Sequence, residues 1–146
     1  MERLTVERNL SKNIQLKYTT YSGGLQLGPE KRVENKIRKF LEDNGAFVMK
    51  THGGSPGVPV GIPDLFAIYR GIAIFIEVKR EKGGKVKPIQ IAQIDSLKRH
   101  GTIAIISNDV SYVEDLIETI DTLITEGAWK NIQTAINMAN EMGVKQ

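Results

Sequence analysis

The sequence predicts one α/β domain, a mixed sheet with helices on its faces. Three observations carry this. Two apolar runs, LFAIY (65–69) and IAIFI (72–76), meet at Arg70-Gly71 and read as strands joined by a tight turn. Segments with helical apolar spacing lie before and after them. The chain has 146 residues, 40% of them hydrophobic and 25% charged, which suits a single globular core.

The elements follow in order. Residues 1–28 contain short alternating stretches broken at Gly23-Gly24 and Gly28-Pro29, and read as an N-terminal arm, a candidate interface or exchanged segment. From Glu30 to Asn44, Val33, Ile37, Phe40 and Leu41 form one helical stripe, with Gly45 as the stop. AFVMK (46–50) reads as a strand, and THGGSPGVPVGIP (51–63) as a glycine- and proline-rich loop. The 65–76 hairpin comes next, then a basic loop at 82–87. Pro88 suits the first turn of a helix ending near His100 and closed by Gly101. TIAIIS (102–107) is a buried strand. Ser111 and Glu114 form a capping-box pattern ahead of an amphipathic helix that Gly127 ends. A last helix, within 128–146, carries Trp129, Ile132, Ile136 and Ala139 on one face. The core is therefore expected at 29–127.

Composition narrows the function. The absence of cysteine removes disulfides, thiolate metal sites and thiol nucleophiles. No apolar run is long enough to span a membrane, and the opening MERLTVERNL lacks the apolar core of a secretory leader; an intracellular, cytoplasmic location is expected. Net charge is only +3, but it is unevenly spread. Lys79, Arg80, Lys82, Lys85, Lys87, Lys98 and Arg99 crowd one stretch, whereas residues 109–126 hold acids and no base. A basic strip suits a polyanion such as nucleic acid, or is a solvated lysine-rich loop.

With Arg70 and Gly71 at the turn, Tyr69 lies opposite Ile72 and Asp64 opposite Glu77. Glu77, Lys79, Phe66 and Phe75 share the face of Asp64, and Leu65, Ala67, Tyr69, Ile72, Ile74 and Ile76 the other. Both faces are apolar, so the hairpin is expected to be covered on both sides. Two carboxylates about 5 Å apart repel by roughly 3 kcal/mol at an effective dielectric near 20. A retained proton, pairing with Lys79 or a divalent cation would relieve this. Carboxylate oxygens suit Mg²⁺ or Mn²⁺. A Lys79 salt bridge at a strand end remains the plain structural alternative.

Pro63-Asp64, twelve residues, then Glu77-Val78-Lys79 resembles the PD-(D/E)XK nuclease signature. Gly61-Ile62-Pro63-Asp64, Glu77-Val78-Lys79 and Lys87-Pro88-Ile89-Gln90 together are similar to its VRR-NUC branch, the virus-type replication-repair nucleases, over about residues 30–107. The resemblance implies a restriction-endonuclease-like fold and a metal-dependent DNA endonuclease. It implies metal ligation by Asp64, Glu77 and the Val78 backbone carbonyl, with Glu34 of the first helix holding the ion directly or through water. It makes Lys79 the catalytic lysine and Gln90 a further catalytic residue; Lys87 departs from the serine common before that proline. Mg²⁺ is the expected cofactor, with Mn²⁺ able to substitute.

Helical geometry puts Glu34 at the edge of the buried stripe and Gln90 on the inward face with Ile94 and Leu97. Pairing of Glu34 with Arg38 is the structural alternative. Lys50, Arg80, Lys82, Lys85, Lys87 and Lys98 are candidate DNA contacts. No base-reading module is present, so branched or four-way-junction DNA is the expected substrate. Symmetric cutting calls for a homodimer. A phage-encoded enzyme acting in host cytoplasm fits these features. The alternatives are a noncatalytic nucleic-acid-binding domain on this fold and a sequence-specific restriction-type endonuclease.

Overall fold

The structure is a computed structural model and describes residues 27–127 and 132–141. Among them the elements run α1 (Pro29–Asp43), β1 (Phe47–Lys50), β2 (Leu65–Tyr69), β3 (Ile72–Val78), α2 (Pro88–Arg99), β4 (Ile103–Ser107), α3 (Val110–Thr125) and α4 (Ile132–Glu141). This is the order expected from the sequence. The N-terminal arm, apart from Leu27 and Gly28, and Trp129 lie outside the described residues.

The strands lie side by side in the order β1-β2-β3-β4. The first three are antiparallel neighbours, and β4 runs parallel to β3. A parallel neighbour needs a crossover, which α2 provides. Leu65 pairs with Ile76 and Tyr69 with Ile72, the register that a two-residue turn dictates. Arg70 and Gly71 both adopt positive φ, 48° and 81°, which matches the twist of a two-residue hairpin. Arg70 is held in that conformation by Asp121, whose Oδ1 lies 2.7 Å from the guanidinium. The Tyr69 hydroxyl donates to the same carboxylate at 2.8 Å.

One face of the sheet carries the core. Leu65, Ala67, Ile74, Ile76 and Val78 pack against Val33, Ile37 and Leu41 of α1 and Val113, Leu116 and Ile117 of α3, with Ile136 and Ala139 of α4 behind. The other face departs from expectation. Covering on both sides would bury β1 and β2 as well, yet Phe47 is 60% exposed, Met49 48% and Ile68 40%. Among the described residues, α2 packs on β4 and β3 and makes no comparable packing on β1. Phe66 and Phe75 shelter each other there, their ring centroids 4.9 Å apart.

The free edge of β4 is closed by a side chain. Asn140 of α4 accepts a hydrogen bond from the Ala104 N–H at 2.8 Å and donates to the Thr102 carbonyl at 2.9 Å, as a neighbouring strand would. At α3 the expected Ser111 cap is corrected to Asp109. Asp109 is the extended residue before the helix, and its carboxylate accepts from the Ser111 N–H at 3.4 Å and the Ser111 hydroxyl at 3.1 Å. The helix starts immediately after Asp109, so Ser111 lies inside its first turn. Among the described residues no helix is long and apolar enough to cross a membrane.

Candidate active site

The site lies where β2 begins and β3 ends. Asp64 directly precedes β2; its backbone carbonyl accepts the Thr51 N–H at 2.9 Å. The Thr51 hydroxyl donates to the Pro63 carbonyl, so the Pro63-Asp64 step is held at both peptides. Asp64 Oδ2 accepts the Val78 N–H at 2.8 Å, which ties the carboxylate to the end of β3. Glu77 and Lys79 flank Val78 and point to the opposite side from it. Both are buried. Lys79 Nζ donates to Glu77 Oε1 at 2.6 Å and to Gln90 Oε1 at 3.1 Å. Gln90 Nε2 donates to the same Glu77 oxygen, and its Oε1 accepts the Lys87 N–H at 2.9 Å. The first turn of α2 thereby clamps carboxylate and ammonium together.

Burial raises the pKa of Glu77 above its ordinary range, and the negative charges of Asp64 and Glu30 add to that; Lys79 opposes it. The repulsion expected across the hairpin is therefore present, and the Lys79 pair relieves it only in part. The Lys79–Glu77 salt bridge weighed from the sequence is found, and Asp64 is bonded to the peptide N–H that follows Glu77.

Glu34, on the buried face of α1, is bonded by a different pair of lysines. It is only 5% exposed. Lys50 Nζ donates to both its oxygens, at 2.9 and 3.2 Å, and Lys31 donates from one turn earlier. Burial pushes its pKa up, but the bonds from Lys31 and Lys50 outweigh this and hold it below the usual value. Arg38 instead pairs with Glu42 at 2.8 Å. Lys50 has its pKa raised, mainly by the Glu34 bond, and Asp64 contributes. Lys50 is thus a partly buried partner of Glu34.

Arg80, Lys82, Lys85 and Lys87 are exposed on the loop between Lys79 and α2. The Arg80 guanidinium braces this loop by donating to the Gly83 carbonyl at 2.8 Å. Gly84 packs so closely on Lys79 that an added Cβ would sit 2.9 Å from the Lys79 Cβ. Lys98 is separated from this group: it lies in the last turn of α2, about 12 Å along the axis from Gln90 at 1.5 Å per residue. His52 is exposed and contributes its carbonyl to a turn with Ser55. Thr51, Lys31, Gly84 and Ser107, whose carbonyl accepts the Lys79 N–H at 2.8 Å, support the site without having been singled out in the sequence. Only Lys31 left a signal, its i,i+3 spacing to Glu34.

Among the described residues no three acidic or histidine side chains converge closely enough to enclose an ion by themselves. Two carboxylates are enough for Mg²⁺, which keeps several waters and takes few protein oxygens. The donor set, hard oxygens from Asp64, Glu77 and the peptide chain with surplus negative charge, fits such an ion.

Asp64→Asn is expected to leave the stability of the metal-free protein nearly unchanged, within about 0.5 kcal/mol. Its amide oxygen still accepts the Val78 N–H, and the repulsion on Glu77 disappears. Asp64→Ala, which strands that N–H, costs about 1–3 kcal/mol. Thermal unfolding of the two variants side by side checks this; a large loss with Asn would mean that the charge of Asp64 itself holds the fold.

A solved structure described as a VRR_NUC domain is similar to this chain with 28% identity and a TM-score of 0.55, covering 63% of this chain and 97% of its own. A second, described as a VRR_NUC domain protein, has 22% identity and a TM-score of 0.51, covering 64% and 88%, and speaks to the fold alone. None of the curated proteins compared matches the chain. The resemblance to the VRR-NUC branch is thus matched at the level of the fold. The family model for the archaeal Holliday junction resolvase (Hjc) matches residues 29–133, well over half of the sequence and all of the site just described. On that match the chain belongs to the archaeal Holliday junction resolvase family of PD-(D/E)XK nucleases.

Proposed function

We propose that this nuclease is a divalent-metal-dependent endonuclease that cleaves branched DNA, four-way junctions above all, as a homodimer. The observation that carries the reading is the buried Glu77–Lys79–Gln90 cluster beside Asp64. Asp64, Glu77 and the Val78 carbonyl would hold Mg²⁺ or Mn²⁺, with Glu34 acting through a bound water. Such an ion supplies Lewis acidity to a phosphate oxygen and lowers the pKa of water.

The residues of the chain do the rest. Gln90 fixes the Glu77 carboxylate and the Lys79 ammonium in one arrangement, so neither must reorganise when substrate arrives. Lys79 then orients the attacking water and offsets charge that develops on the phosphate. Lys50 balances Glu34 and Asp64. Arg80, Lys82, Lys85 and Lys87 grip phosphates beside the reacting bond, which gives affinity and salt dependence without reading sequence. Lys98 meets the backbone further along.

The family match on 29–133 supports the junction as substrate. Two symmetric cuts need two sites, and the exposed Phe47, Met49 and Ile68 give a second copy an apolar surface. Light scattering should report a dimer at micromolar concentration. The decisive assay incubates linear duplex, plasmid, flap and four-way-junction DNA with Mg²⁺, with Mn²⁺ and with chelator. Junction cleavage that chelator abolishes is expected. No cutting of any substrate with either ion refutes the enzyme reading, and short fixed-sequence fragments from plasmid would establish the restriction-type alternative.

A further inference from the structure

Beside the carboxylates stand two apolar side chains that the reaction does not use. Val60 is 66% exposed and Ile89 44%. Gly61, next to Val60, lies against Ile89, and Ile89 immediately precedes Gln90, whose amide bonds Glu77, so the Val60-Gly61 step and Ile89 border the site. The backbone beside Val60 packs closely on α2. Gly61 has a φ of 80°, and an added Cβ there would meet Ile89 Cγ1 at 2.9 Å and the Ile89 carbonyl at 3.0 Å. Gln93 Nε2 donates to the Val60 carbonyl at 3.1 Å. Pro59 and Pro63 limit the backbone on either side. The Val60-Gly61 step is thus docked on the first turns of α2, beside Ile89.

We infer that Val60 and Ile89 form an apolar wedge that contacts the face of an unstacked base at the branch point of the DNA, and so select branched over continuous duplex. The inference rests on the nuclease reading and adds the origin of its structure preference. In a continuous duplex, base faces are stacked and only edges are accessible in the grooves. Apolar side chains meet a base face where the stack is interrupted or is prised open. At a branch point the stack opens at lower cost than within a duplex. The surroundings favour DNA over a second copy of the chain. Lys85 and Lys87 on the adjoining loop are exposed, and Lys87 is the residue before Pro88-Ile89. Two copies meeting here would oppose like charges, whereas a DNA branch brings phosphates to them.

The test uses a four-way junction with 2-aminopurine at the branch, bound in Ca²⁺, together with cleavage rates in Mg²⁺ on the junction and on linear duplex. The wild type should raise the fluorescence on binding. Val60→Ser, an exposed change that spares the fold, should lose most of that rise. Val60→Ser with Ile89→Ser should lower the junction-to-linear cleavage ratio about tenfold. Val60→Ile should retain both signals. A folded double variant that keeps the fluorescence rise and a ratio within twofold of wild type overturns the wedge. So does a change from dimer to monomer, which would make the patch a contact between copies. If the wild type cuts nothing but its fluorescence rise depends on Val60, the wedge stands and the nuclease reading falls.

Discussion

Glu77→Gln is expected to bring junction cleavage below detection while the protein still binds the junction. The substitution keeps the shape, and its amide oxygen can still accept from Lys79 and Gln90. What it removes is the negative charge that a dication needs. Lys79→Ala should reduce the single-turnover rate about a hundred- to a thousandfold, the usual cost of one preorganised charge at a reacting oxyanion. Binding should change little in both, because Arg80, Lys82, Lys85 and Lys87 are untouched and exposed. Gel shifts and single-turnover cleavage on the same preparations separate the two effects. Near-normal turnover by either variant would show that the cluster is a structural salt bridge and that the chemistry lies elsewhere.

Adding Mg²⁺ to the metal-free protein should raise its Tm. At a hundred times Kd, binding contributes about 2.7 kcal/mol, roughly 5–10 °C for a domain of this size. Asp64→Asn should remove most of this rise. The pH dependence follows from Glu77. Its folded pKa is raised by burial, by Asp64 and by Glu30, so the folded protein holds that proton more tightly than the unfolded chain. The stability of the metal-free protein therefore gains from Glu77 as pH falls through that raised value. The ion competes with the same proton, so the Mg²⁺-induced rise shrinks as pH falls, and it does so above the range of an ordinary glutamate. Glu34 acts in the opposite sense: its depressed pKa contributes stability above the unfolded value, lost as pH falls through the folded one. Differential scanning with and without Mg²⁺ across this range checks both. A rise indifferent to pH and to Asp64→Asn would place the ion elsewhere.

The hairpin was legible because period 2 and the Arg70-Gly71 turn fix which residue faces which, and Asp64 and Glu77 follow as simple extensions of that ladder. Gln90 was legible for a similar reason, since Pro88 sets the helix start and Ile94 its inward face. The partners of Glu34 were only half readable. Lys31 is local, but Lys50 reaches Glu34 from a strand 16 residues on, and a tertiary pairing of that kind leaves no period in the sequence. The uncovered half of the sheet was misread for a related reason. Phe66, Ile68 and Phe75 look like core in a linear pattern, and only the placement of α2 over β3 and β4 decides which of them stay wet. The Asp109 cap was missed because Ser111 and Glu114 matched a familiar pattern two residues late.

Asn140 has a consequence for handling the protein. Its carboxamide occupies the hydrogen-bonding row of the outermost parallel strand. A chain shortened by a handful of residues before that point would bare Thr102 and Ala104 as a template for foreign strands. Such a truncation would be lost to insoluble material although every group of the reaction centre is still encoded.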